Sequence, residues 1–271
     1  MEFKEIEEKY WNSLYDKHEI TYNSKRDLDY HDDFKKPIYA LPNKARILEL
    51  ACGVRCDGIE FALQGKKVYE TDISEVAVRK AQEIYHELGI ENQGRFIKCD
   101  AEKLPFEDNF FDVVLISAAF HHLPNMHMAL GEMKRVVKSR GLVILGVEPN
   151  AWPYFTVYWL LKPVKKLIRK TNKKFFHSIA DDSTHGFTKG QLVKMFSKAE
   201  LEIVKIERAK YFSEFYDSGI SFLNKAFKLK LEPKEKTSFF LARLDSYLSK
   251  VPLLNLFSWH WSVIATKNVK D

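Results

Sequence analysis

From Ala45 onward, short apolar runs alternate with stretches whose apolar residues recur at three- and four-residue spacing. The runs at 46–50, 67–71, 94–98, 111–116 and 142–147 predict strands, and the periodic stretches at 57–64, 74–88 and 126–137 predict helices. In the second of these, Val76, Ala77, Ala81, Ile84, Tyr85 and Leu88 share one face, and Ser74-Glu75 is a credible helix start. A helix at 188–199 and strands at 201–208 and 258–266 come later. Strands alternating with helices predict an α/β fold: a parallel sheet with right-handed crossovers and helices on both faces. Residues 1–44 read as a helical, polar and aromatic lead-in. Segments 150–187 and 209–257 interrupt the pattern and are rich in aromatic and basic residues. They read as helical caps over the ligand end of the sheet, so 1–271 is expected to form a single domain with its binding core at 45–150.

Composition narrows the class. An apolar fraction of 45% over 271 residues, with 20 Phe and 12 Tyr, is enough to bury a large core and excludes disorder. The charged N-terminus does not read as a signal peptide, and no apolar run of about 18 residues predicts a membrane span. Cys52, Cys56 and Cys99 fit neither a disulfide framework nor a paired C-x-x-C zinc site, which favours a reducing, cytoplasmic setting. Carboxylates and histidines show no metal-ligand spacing, so no metal is expected.

Net charge is +6, but it is uneven: a basic run from Lys162 to Lys174 lies in a stretch without Asp or Glu. Trp152, Tyr154, Phe155, Tyr158 and Trp159 precede it. This segment could roof a substrate pocket with its lysines in water. Alternatively, 152–174 could make a peripheral contact with an anionic membrane. Nucleic acid is the least favoured partner, because no recognition motif surrounds the run.

Ligands of open α/β sheets bind beyond the carboxyl ends of the strands. The residues found there are Ala51-Cys52-Gly53-Val54, then Asp72, then Asp100-Ala101-Glu102, then Ser117 through His121-His122, then Glu148-Pro149-Asn150. A carboxylate at Asp72 can accept ribose hydroxyls, and one at Asp100 can accept from an adenine amino group. Small residues at Gly53 let the backbone come close to a ligand. Either carboxylate could instead cap the helix that follows it.

In order and spacing these segments resemble the class I S-adenosylmethionine-dependent methyltransferases of the small-molecule branch. The resemblance rests on Leu48-Glu49-Leu50-Ala51-Cys52-Gly53-Val54-Arg55, Lys67 to Ser74, Cys99 to Phe106, and Phe110 to Pro124. It implies a Rossmann-like sheet of seven strands, mostly parallel, with the last antiparallel, and S-adenosylmethionine as cofactor. It places Glu49, Ala51, Cys52, Gly53, Asp72, Ile73, Asp100, Ala101 and Ser117 at the cofactor. The acceptor would be a small or lipid-like molecule. His121 and His122 border the expected methyl position as candidate bases for a hydroxyl acceptor; packing against Leu123 and helix capping are their bland roles. His185 and Tyr15 are weaker candidates.

Glu49 stands where the family has Asp, and Ala51 where it has glycine, a mild change if its φ is negative. Arg55 replaces the last glycine. It could mark a site that has lost the cofactor, begin the helix with its guanidinium outward, or pair with Asp57 or a ligand carboxylate. Two other functions stay open. A nicotinamide-dependent oxidoreductase would require G-x-G-x-x-G, of which only Gly53 is kept, and a degenerate methyltransferase fold would serve as a binding protein.

Overall fold

The computed structural model describes residues 3–16, 33–54, 56–153, 186–209, 211–227, 229–248, 251 and 258–268. Arg55, His185 and the basic run lie outside the described residues, as does most of the segment expected to meet a membrane. Among the described residues no helix is long and apolar enough to cross a membrane.

Seven strands form one sheet: β1 (Arg46–Leu50), β2 (Lys67–Asp72), β3 (Gly94–Lys98), β4 (Phe111–Ser117), β5 (Val137–Pro149), β6 (Leu201–Ala209) and β7 (His260–Lys267). Their order is β3-β2-β1-β4-β5-β7-β6. The first five pair in parallel, and β7 runs antiparallel to both β5 and β6. Strand starts fall where the apolar runs predict them, except that β7 begins two residues later, at His260, and that β5 begins at Val137, directly after the preceding helix, and continues to Pro149.

Among the described residues the longer helices are α1 (Phe3–Asp16), α2 (Gly58–Leu63), α3 (Glu75–Glu87), α4 (Met126–Val136), α5 (Lys189–Lys198), α6 (Phe212–Phe227) and α7 (Glu235–Leu248). Ser74 caps α3 by accepting from Ala77 N at 3.1 Å. Thr188 and Gln191 form a reciprocal capping box at α5.

Period-2 alternation sends strand side chains to two cores. Leu48, Leu50, Val114, Ile116, Val143 and Leu145 meet Leu130, Met133, Leu192 and Phe196 of α4 and α5. Ile47, Val68, Val113, Leu115 and Ile144 meet Ile59 and Phe61 of α2, Ala81, Ile84 and Tyr85 of α3, and Phe34 and Ile38 from the short helical turns at 33–39. With both faces covered, the polar residues after each strand gather at the carboxyl edge.

Candidate functional site at the carboxyl edge of the sheet

The turn after β1 is held by its neighbour. Cys52 N donates to the Thr71 carbonyl at 3.0 Å, and Gly53 N donates to Asp72 Oδ2 at 2.9 Å. These bonds draw the turn across the end of β2 and set its backbone. Gly53 has φ +55° and Ala51 has φ +52°. The mild case for Ala51, a negative φ, is therefore corrected: the residue is left-handed, which costs a side-chain-bearing residue about 1–2 kcal/mol. Ala118 after β4 (φ 52°) and Val147 near the end of β5 (φ 54°) share this conformation. Three strained non-glycine residues along one sheet edge mark where the surroundings dictate backbone geometry, and such places cluster at functional sites.

The predicted cofactor residues fall along this edge. Asp72 is buried, and its Oδ1 accepts from Ser74 N at 2.8 Å. Burial pushes its pKa up to about 6, against the pull of its backbone N–H partners. Ile73 and Ala101 are half-buried beside Asp72 and Asp100. The end of β3 is bound to that of β2, with Cys99 N donating to the Asp72 carbonyl at 3.0 Å. Asp100 Oδ1 accepts from Glu102 N at 2.9 Å. Ser117 ends β4 on the other side of β1. Glu49 lies beneath the turn, accepting from Asp57 N at 3.0 Å and Gly58 N at 2.6 Å, so its role here is to hold the turn.

Helix α1 crosses this edge and reaches all three strand ends on that side. Lys4 Nζ pairs with Asp100 Oδ2 at 2.5 Å and with Glu102 Oε2 at 2.6 Å. Asn12 Oδ1 accepts from Ser74 Oγ at 2.6 Å. The Tyr15 hydroxyl lies 3.0 Å from where a Cβ on Gly53 would stand. Trp11 stacks on Tyr15 and meets the His122 ring edge-on at 5.2 Å. A roof of aromatic rings thus runs from the turn to the histidine pair. Burial, followed by the Asp72 charge, raises the Tyr15 pKa far above its ordinary value. Tyr15 keeps its proton at any ordinary pH and can donate a hydrogen bond but cannot act as a base, which removes it from the candidate bases.

His121 has a partner that the sequence reading did not assign. Glu148, buried at the end of β5, accepts from Ala119 N, Phe120 N and His121 N at 2.9–3.1 Å, and from His121 Nδ1 at 2.9 Å. A register irregularity between Leu145 and Glu148 turns the carboxylate inward. Its signal in the sequence was a charged residue closing an otherwise apolar strand. The His122 ring lies 4.1 Å from that of His121, tilted by 39°.

The strand order, with β7 antiparallel between β5 and β6, departs from the all-parallel dinucleotide fold. Residues 48–145 match the profile of a methyltransferase domain. Over that stretch the chain is similar to methyltransferase domains. The nicotinamide alternative falls with that finding. The chain is 32% identical over 117 residues to a ubiquinone/menaquinone biosynthesis C-methyltransferase of Paraburkholderia phytofirmans. That match covers 42% of this chain and 47% of the relative, so the chain spans about half the length of the curated relatives it matches. The methyltransferase fold extends further. A phosphoethanolamine N-methyltransferase of Haemonchus contortus, solved with S-adenosyl-L-methionine, superposes with TM-score 0.62 at 15% identity, covering 99% of this chain and 60% of that one. The [4+2]-cyclase SpnF superposes with TM-score 0.58 at 17% identity, covering 88% and 80%. One fold thus carries different chemistries, and activity has to be argued from the site.

Proposed function

We propose that the protein transfers a methyl group from S-adenosylmethionine to a small-molecule or lipid-like acceptor. The observation that carries this reading is the buried Asp72 carboxylate bonded to the glycine turn. Gly53 N donates to one oxygen and Ser74 N to the other, at 2.9 and 2.8 Å, and the Ile73 N–H also bonds the carboxylate, which leaves it a lone pair for a ribose hydroxyl. A Cβ on Gly53 would crowd Tyr15, so the cradle needs glycine there. The donor set fits the cofactor: Asp72 would hold the ribose, Asp100 the adenine amino group, and the 51–53 backbone would lie close to the bound molecule.

The bound cofactor supplies an electrophilic methyl group. The chain's part is to align the acceptor and exclude water. Glu148 accepts the Nδ1 proton of His121, which puts the lone pair of the neutral ring on Nε2. That nitrogen is the candidate to take a proton from a hydroxyl acceptor. An apolar acceptor is supported by the relative's place in ubiquinone and menaquinone biosynthesis. It is also supported by the aromatic side chains of α6: Phe215 packs edge-on against Trp259, whose carbonyl takes Asn150 N–H beyond β5.

Isothermal calorimetry and thermal shift with S-adenosylmethionine test the first half; no heat and no shift would leave a binding fold without this cofactor. The second half rests on turnover of the double variant His121→Ala, His122→Ala. A loss of about 100-fold or more is expected for a general base, and a loss below tenfold would remove both residues from the mechanism.

A further inference from the structure

Beneath the turn, on the side covered by α2 and α3, lies a group of acids that methyl transfer does not use. Glu49 of β1 and Glu70 of β2 are register partners on adjacent strands. Alternation places them on the same face as Ile47 and Val68. Glu49 is 2% exposed and Glu70 0%. Like charges directly across two strands repel. Glu49 is held by the Asp57 and Gly58 N–H groups, and Glu70 Oε1 accepts from the Tyr85 hydroxyl at 2.5 Å. Glu70 Oε2 is buried with no hydrogen-bond donor. The group facing Glu70 is the Glu49 carboxyl. Two carboxyl groups can satisfy one another only through a proton or a cation.

The turn brings two sulfurs down onto this pair. Cys52 Sγ, Cys56 Sγ and a carboxylate oxygen of Glu70 lie within 4.8 Å of one another, and all three residues are buried. Among the described residues no basic side chain pairs with any of them. Lys35, a buried lysine that reaches the end of the turn, is taken by Asp57 and Glu60. Two facing buried carboxyls and two sulfurs, with no basic side chain pairing among the described residues, describe a region short of positive charge.

We propose that Cys52, Cys56 and Glu70 form a site for one thiophilic divalent cation of the zinc type. Two sulfurs and a carboxylate oxygen are a ligand set that suits zinc. Binding displaces the thiol and carboxyl protons into solvent and ties the turn to β2. The site holds structure and takes no part in methyl transfer, so it stands whether or not the turn binds S-adenosylmethionine. Sequence spacing hides it, because Cys52 and Cys56 are four apart and Glu70 comes from the next strand.

The test uses the full chain, reduced, stripped by chelator dialysis and titrated with Co2+. A thiolate-to-cobalt charge-transfer band in the near ultraviolet, saturating at one ion per chain and bleached by Zn2+, is the expected result. Cys52→Ser and Cys56→Ser should each weaken binding by about tenfold or more, and Cys99→Ser should leave it unchanged. No band in the wild-type protein would overturn the proposal and leave a shared proton as the link between the two carboxyls. A band that persists in the double variant Cys52→Ser, Cys56→Ser would overturn it too. If the serine variants do not fold, the wild-type titration still decides.

Discussion

Replacing Asp72 by Asn separates what this carboxylate does for the fold from what it does for a ligand. In the folded chain its pKa is about 6, raised by burial, whereas an unfolded aspartate titrates near ~3.9. The fold therefore holds this proton more tightly than the open chain does. The contribution to stability is full below about pH 4, falls as pH rises toward 6, and is level above it. The loss at pH 7.5 is about 3 kcal/mol, from two pH units at ~1.4 kcal/mol each. Asp72→Asn removes that penalty. It also turns an amide NH2 toward either Gly53 N or Ser74 N, which lose a charge-assisted bond of about 1.5–3 kcal/mol. The two effects nearly cancel, so the Tm should move by no more than roughly 5 °C.

Affinity has no such compensation. Ribose hydroxyls lose the charge and one acceptor, about 2–3 kcal/mol, or roughly 30- to 150-fold in Kd. Calorimetry at pH 7.5 reads the affinity and a parallel melt reads the stability. In the wild type, affinity should also weaken about tenfold per unit below pH 6 as Asp72 takes up its proton. An Asp72→Asn protein that binds S-adenosylmethionine within threefold of wild type would refute the ribose assignment.

Two further outcomes follow from the same edge. Lys4→Ala releases Asp100 and Glu102 from a partly exposed ion pair, so stability should change by less than about 1 kcal/mol. Cofactor association, followed by stopped-flow Trp fluorescence, should speed up; an unchanged rate would show that α1 does not control entry. Glu148→Gln turns an NH2 toward donors that now share a carboxylate. Urea melts should show a loss of about 2–4 kcal/mol, and an unchanged midpoint would mean that the loop after β4 holds itself.

Much of the frame was legible because its signals are local. The Ile47-Leu48 run, the Ser74 cap and the helix start at Thr188 each report their own element. Asp72 and Asp100 were readable because a strand end followed by a carboxylate is a short-range pattern. What stayed hidden depends on neighbours far away in the chain. The apolar and polar spacing of α1 says that one face will be covered, not that Lys4 will reach across 96 residues to Asp100. The sign of φ at Ala51 is set by bonds to Thr71 and Asp72, which no reading of the turn alone contains. Pairing of Glu49 with Glu70 requires the register of two strands, and the same holds for Glu148 beneath His121. Periodicity tells which side of an element is buried; it does not name what buries it.

The position of β7 has a consequence for synthesis. It follows β5 and β6 in the sequence, yet it lies inside the sheet between them. Until residues 260–267 leave the ribosome, β5 and β6 each present an open ladder of backbone donors and acceptors. Trp261, which donates to the Phe187 carbonyl at 2.7 Å, is likewise missing from the core. A nascent chain paused before β7 therefore exposes two sticky edges at once, the condition under which neighbouring chains pair with each other. Chaperone demand during translation should peak there, late in the chain, long after residues 48–145 have emerged.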